Sequence, residues 1–150
     1  MLDQPAIRSH ANPPADQAAL AARLAQVRER IAQAARRAGR DPAAVTLVAV
    51  SKNHPAESVA ALAAAGQGDF GENRIEESGP KLLALQGAGS LRWHMIGHVQ
   101  SRKAREVVQA GFTLVHSLDT LRLAGRLSRL AVEAGRRQAV LFECNVSGEA

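Results

Sequence analysis

The sequence predicts an α/β fold built on a parallel sheet, specifically the first five strands of a (β/α)8 TIM barrel. Three observations carry that expectation. Short runs of β-branched and small apolar residues alternate with amphipathic helical patterns, the rhythm of a parallel sheet with right-handed crossovers. The strand-like runs start near residues 45, 69, 92, 113 and 138, at regular spacing. The 150 residues stop just after the fifth run, without the covering helix of an open five-stranded sheet, whereas a full barrel takes more than about 200 residues. The expectation is therefore a barrel portion over 16–150, truncated after strand five. An open doubly wound sheet is the competing architecture.

Residues 1–15 are rich in Pro, Asn and small side chains and predict a flexible tail. Asp16 stands where it can cap a helix. Leu20, Leu24, Val27 and Ile31 then recur at helical spacing, and Gly39 ends the run. VTLVAVS (45–51) reads as a fully buried strand. PAESVAALAAAG reads as a helix with Pro55 in its first turn and Gly66 as its stop. DFGEN (69–73) is a short second strand, and RIEESGPKLLALQ is helical with a break expected at Gly79–Pro80. LRWHMIG (91–97) is the third strand, and QSRKAREVVQAG a helix ending at Gly111. TLVHSLD (113–119) is the fourth strand, and TLRLAGRLSRLAVEAG a helix ending at Gly135. QAVLFECNVSG (138–148) is the fifth strand.

Composition narrows the function classes. No apolar stretch is long enough to cross a bilayer, and the N-terminus lacks the apolar centre of a signal peptide, so a cytoplasmic protein is expected. The single cysteine, Cys144, allows no internal disulfide and reads as a buried core thiol. The net charge of +5 raises nucleic acid as a partner, but the arginines are interleaved with Glu and Asp, and aromatics make up only 3%. Solvated helix faces explain these charges better than a binding patch.

In either architecture the chemistry belongs at the C-terminal ends of the strands. The polar residues there are Ser51, Lys52, Asn53, Glu72, Asn73, His98, Gln100, Ser117, Asp119, Asn145 and Ser147. Lys52 is the one amine among them. The chain has 19 Lys and Arg, of which only Lys52, Lys81 and Lys103 are lysine. A chain so biased toward arginine has a use for lysine beyond charge, because an amine can lose its proton and a guanidinium cannot. Walled by aliphatic side chains, the ammonium would be disfavoured and the free amine could add to a carbonyl. Three readings follow: a lysine that holds pyridoxal 5'-phosphate (PLP), a lysine that attacks a sugar-like carbonyl, or a structural lysine paired with a carboxylate such as Glu72.

AVSKNHP, FGENRIEE, WHMIGHVQSRKAREVV and VHSLD, in this order and spacing over about residues 45–149, resemble the YggS/PROSC family, the pyridoxal phosphate homeostasis proteins. The resemblance implies a barrel of alanine racemase N-terminal type, PLP held as a Schiff base on Lys52, and a role in cofactor homeostasis without a settled catalytic reaction. It also implies PLP-dependent apoenzymes as partners. Most of the phosphate cradle is implied to lie in later strands. Arg102 and His98 depart from the residues common in the family, and neither touches the lysine motif. Among the matched positions, Asn73 has two readings, a hydrogen bond to the cofactor or a turn-stabilising role. His94 lines the barrel beneath the cofactor or is a satisfied core histidine, and His116 leans further to the second. Asn145 faces the ring.

Two other functions remain on this scaffold. An amino-acid racemase or lyase would need a base for the α-proton, and the tyrosine that alanine racemase uses on one face has no counterpart in a chain with no tyrosine. A nucleic-acid-binding module would rest on charge alone. If the barrel is incomplete, strands one and five are exposed edges, their inner faces lack an opposing layer, and Lys52 sits in water.

Overall fold

The computed structural model of the chain describes residues 17–148; the expected tail at residues 1–15 and the capping Asp16 lie outside the described residues. The first element is α1 (Gln17–Arg37), whose Leu24 and Ala35 are buried. Arg28 of α1 reaches back to donate to the carbonyl of Gly66 at 2.8 Å. A guanidinium at that point satisfies helix-terminal carbonyls and suits the negative end of the helix dipole. The helix it caps is α2 (Ala56–Ala64), which starts after Pro55. Gly66 follows at φ +88°, a left-handed conformation that glycine adopts without penalty.

Five strands follow the expected rhythm. They are β1 (Ala49–Val50), β2 (Asp69–Glu72), β3 (Arg92–Met95), β4 (Leu114–Leu118) and β5 (Ala139–Phe142). The helices between them are α2, α3 (Ile75–Ala84), α4 (Ala104–Ala110) and α5 (Leu121–Glu133). All strand pairs are parallel and the order in the sheet is β1-β2-β3-β4-β5.

Strand order equal to chain order decides between the two architectures. A doubly wound sheet reverses its winding part-way and puts helices on both faces. Here Val59 of α2, Leu82 of α3, Val107 and Val108 of α4 and Leu123 and Leu127 of α5 join Phe70, Trp93, Met95 and Val115 in one core. The helices therefore share one face of the sheet, as in a barrel. By the two-residue alternation of strands, Phe70, Glu72, Trp93 and Met95 point toward the helices. Asp69, Gly71, Arg92 and His94 point to the other face, the inner one. Among the described residues the sheet is open, with β1 and β5 as its edges.

Several local expectations are corrected. Only Ala49 and Val50 of VTLVAVS form a strand, and Val50 is 50% exposed. With a neighbour on one side only, that segment has no ladder to complete; the Gln67 side chain donates to the carbonyl of Leu47 at 2.7 Å instead. The helix over Pro80 does not break: α3 runs through it, with Ile75, Ser78 and Leu82 buried on either side. The missing backbone N–H costs one bond on an exposed face, which three buried anchors offset. The helix expected from residue 100 opens as a tight 3-10 turn (Ser101–Lys103) before α4. The fifth strand ends at Phe142, well short of residue 148. Cys144 is consequently exposed, because it lies beyond the last paired residue of an edge strand with nothing packed over it.

Candidate functional site

The parallel register brings β1 and β2 together at their C-terminal ends. Val50 pairs with Gly71, so Ser51 lies beside Glu72, and Lys52 and Asn73 are the next residues on each chain. Ser51 is buried and every polar group it has is engaged. Its N–H donates to the carbonyl of Gly71 at 2.9 Å. Its hydroxyl donates to Glu72 Oε1 at 2.6 Å. Its carbonyl accepts from Lys81 Nζ at 2.7 Å and from the His54 N–H at 3.1 Å.

The chain turns immediately after this anchor. The His54-to-Ser51 bond closes a turn whose third residue, Asn53, has φ +61°. That conformation penalises most side chains, and asparagine tolerates it better than others. Lys52 occupies the exposed second position of the turn, in water rather than behind the aliphatic wall expected for a closed barrel.

Glu72 is the carboxylate that a purely structural Lys52 would pair with, and the structure gives it to another lysine. Lys81, from α3, approaches Glu72 Oε1 at 2.6 Å, with side-chain exposures of 9% and 0%. The third lysine, Lys103, bridges Glu76 and Glu106, both at 3.1 Å. Among the described residues Lys52 alone of the three stands without a carboxylate. Asn73 is half-buried, and its side-chain amide makes no hydrogen bond within the described residues. Its backbone is fixed: a Cβ at Gly97 would overlap the carbonyl oxygen of Asn73, so only glycine lets the ends of β2 and β3 approach this closely. The Gly97 carbonyl in turn accepts from Ser117 Oγ at 2.6 Å, tying in the end of β4.

His94 lies in the row Val50–Gly71–His94–Leu114 across the inner face. That is two residues below the register level of Lys52, about 7 Å at the rise of a parallel strand. It belongs to a polar chain on the inner face, buried at Asp69 and His94 and exposed at Arg92. Arg92 donates from Nε to Asp69 Oδ1 at 2.7 Å and from Nη2 to Oδ2. His94 Nε2 meets the same carboxylate at 3.0 Å, and His94 Nδ1 meets His116 Nε2 at 2.9 Å.

An ionised Asp69 can only accept, so the His94 proton sits on Nε2, and a neutral His94 offers Nδ1 as acceptor to the His116 N–H. The hydrogen bond from Arg92 holds the Asp69 carboxyl below the usual carboxylate range. Burial, with the charge of His94 added, pushes His116 below the usual histidine value.

Asn145 lies apart from these residues in sequence and setting, three residues past β5. It is exposed, and its Oδ1 accepts the N–H of Gly148 at 2.8 Å. The site residues that sequence reasoning did not name are Ser51 as an anchor and Lys81 as its partner. The rarity of lysine, which singled out Lys52, applied equally to Lys81. Among the described residues no group of three or more His, Cys, Asp and Glu is placed to hold a metal ion.

A singly wound parallel sheet with polar residues gathered at its C-terminal ends defines a barrel-type α/β protein. The chain belongs to the alanine racemase, N-terminal domain family, which matches residues 22–149. It is 45% identical over 131 residues to the pyridoxal phosphate homeostasis protein of Pseudomonas aeruginosa, covering 87% of this chain and 56% of the relative. PipY of Synechococcus elongatus, in a structure with PLP bound, superposes with a TM-score of 0.75 at 40% identity, over 87% of this chain and 57% of PipY. An unknown protein from Bifidobacterium adolescentis superposes with a TM-score of 0.84 at 30% identity, over 95% of this chain and 62% of that one. These relatives bear out the resemblance carried by the lysine, FGEN and Trp-His motifs. The chain spans little more than half the length of the relative from Pseudomonas aeruginosa.

Proposed function

We propose that this chain binds PLP, that Lys52 is the residue that takes it covalently, and that the protein serves cofactor homeostasis rather than a dedicated reaction. The observation that carries the assignment is the contrast among the lysines. Lys81 and Lys103 are committed to carboxylates, while Lys52 projects a free amine from a rigidly anchored turn at the C-terminal end of a parallel strand. The chemistry of the site fits an aldehyde cofactor: one accessible amine and the unengaged amide of Asn73 beside it. PLP supplies an electrophilic carbonyl; the chain supplies the amine and the fixed backbone behind it. His94, one layer below and bonded on both ring nitrogens, supports the floor of the site. Asn145, exposed three residues past β5, is the further residue proposed to face the ring. The five strands belong to a (β/α)8 barrel over 16–150, in a cytoplasmic protein whose partners are PLP and PLP-dependent apoenzymes that receive it. Among the described residues no helix is long and apolar enough to cross a membrane.

Incubation with PLP, borohydride reduction and peptide mapping test the reading. The pyridoxyl group is expected on Lys52, and Lys52→Ala and Lys52→Arg are both expected to lose it, since a guanidinium does not give up its proton. A label on Lys81 or Lys103, with Lys52 unmodified, overturns the assignment.

A further inference from the structure

We propose that Lys81 is a positioning residue for Lys52, acting through the backbone of Ser51. The inference deepens the PLP reading and rests on it for its functional consequence. Lys81 is nine-tenths buried, and its ammonium bridges two acceptors, the Ser51 carbonyl at 2.7 Å and Glu72 Oε1 at 2.6 Å. The carbonyl it grips belongs to the peptide unit whose nitrogen is that of Lys52. Glu72 completes a closed ring by accepting the Ser51 hydroxyl on the same oxygen, Oε1. Three elements, β1, β2 and α3, are therefore locked at one atom cluster directly behind the reactive amine.

The buried Ile75 and Leu82, with the Lys81–Glu72 ion pair, already hold α3 to the sheet without the bond to Ser51 O. What the bond does is fix the peptide plane from which the turn departs. Ser51 lies one residue past this two-residue strand: its N–H still bonds Gly71 of β2, while its carbonyl is held by Lys81 and the His54 N–H instead of a strand. A strand this short is free to fray, and Lys81 holds the carbonyl at the point where its ladder to β2 ends. Lys81 also explains itself by residue type. A single ammonium bridges a carbonyl and a carboxylate in a small buried space, where a forked guanidinium is bulkier. The second carboxylate oxygen, Glu72 Oε2, is buried without a partner, so the lone Lys81 ammonium is the one cation compensating Glu72.

The test compares two variants of the full chain. Glu72→Gln/Lys81→Met removes the grip on Ser51 and the buried charge together. Leu82→Ala, from the same helix, loosens α3 without touching Ser51. PLP affinity is read by the visible absorbance of the bound cofactor and by pyridoxyl label on Lys52 after reduction. The double variant is expected to bind PLP about tenfold more weakly, the scale set by losing the support of a reacting group. Leu82→Ala is expected to stay within about twofold, even where it melts earlier.

Amide hydrogen exchange at His54, whose N–H reports the turn directly, needs no cofactor. It is expected to speed up about tenfold in the double variant and to stay unchanged in Leu82→Ala. Equal PLP losses that track melting temperature in both variants, or an unchanged His54 amide in the double variant, overturn the positioning role. If the unaltered chain takes no PLP on Lys52, the PLP reading fails on its own, and His54 exchange still decides whether Lys81 holds the turn.

Discussion

Phe70 on β2 and Phe142 on β5 both lie on the helix side of the sheet, yet Phe70 has no exposed surface and Phe142 keeps 67% of its own. Met95 on β3 is likewise buried at 1%, while Leu141 of β5, on the inner face by alternation, keeps 50% of its surface. The middle strands have a neighbour on each side and a helix over each crossover. The marginal strands have one neighbour, and β5 has only the flank of α5. Burial in this sheet is thus set by position in the strand order rather than by how apolar a side chain is. The lysines obey the same rule: Lys81 is sunk into the centre and paired, and Lys52 stands at the margin and is free.

The largest expected effect separates those two lysines. Lys81→Met alone leaves Glu72 buried without its counter-charge and is expected to cost about 3–5 kcal/mol. Lys52→Met, at an exposed turn, is expected to change stability by less than about 0.5 kcal/mol. Urea denaturation of the two variants measures both, and a larger loss for Lys52→Met would refute the contrast. Next in size, Met95→Ala is expected to cost about 2–5 kcal/mol, whereas Leu141→Ala costs well under about 1 kcal/mol and lowers aggregation, because it blunts an exposed apolar edge. Comparable losses at the two sites would mean that β5 is covered in solution.

The smallest effect is pH-dependent and belongs to the inner face. Asp69 and His116 both have folded-state pKa values below their ordinary ones, 3.8 and 6.5. Each contributes stability that is fully present above its ordinary value and is lost as pH falls through its folded value. Acid destabilisation is therefore expected to begin below about pH 6.5 with His116, and to deepen below about pH 3.8 when Asp69 releases Arg92 and His94. His116→Gln should flatten the upper part of the curve and leave the lower part intact. A curve unchanged by that substitution would remove His116 from the acid response.

The buried middle was also the legible part of the sequence. The β2–β4 strands and the helix stops at Gly66, Gly111 and Gly135 follow from apolar periodicity and left-handed glycines, both local signals. The margins were misread because VTLVAVS and QAVLFECNVSG have the composition of central strands. Composition reports what a segment would do with two neighbours, not whether it has them. Lys52 was legible as a strand-end amine. Its commitment to no carboxylate was not, because Glu72 is nine residues from Lys81 in sequence, and only the packing of α3 over β2 closes that gap. The Arg92–Asp69–His94–His116 chain was half visible, as two histidines inside strands. Their shared hydrogen bond depends on a sheet register that no local pattern encodes.

Strand order equal to chain order also has a consequence for synthesis. Paired residues on neighbouring strands lie 20 to 25 positions apart throughout the sheet. Each of β2 to β5 leaves the ribosome when the strand before it in the sheet has already emerged. At a translation speed of about 5–20 residues per second, one strand-helix unit is delivered every few seconds or faster, long compared with the microseconds to milliseconds in which such local contacts form. Among the described residues the sheet can grow in one direction, from β1 outward, each new strand adding to the edge the previous one left.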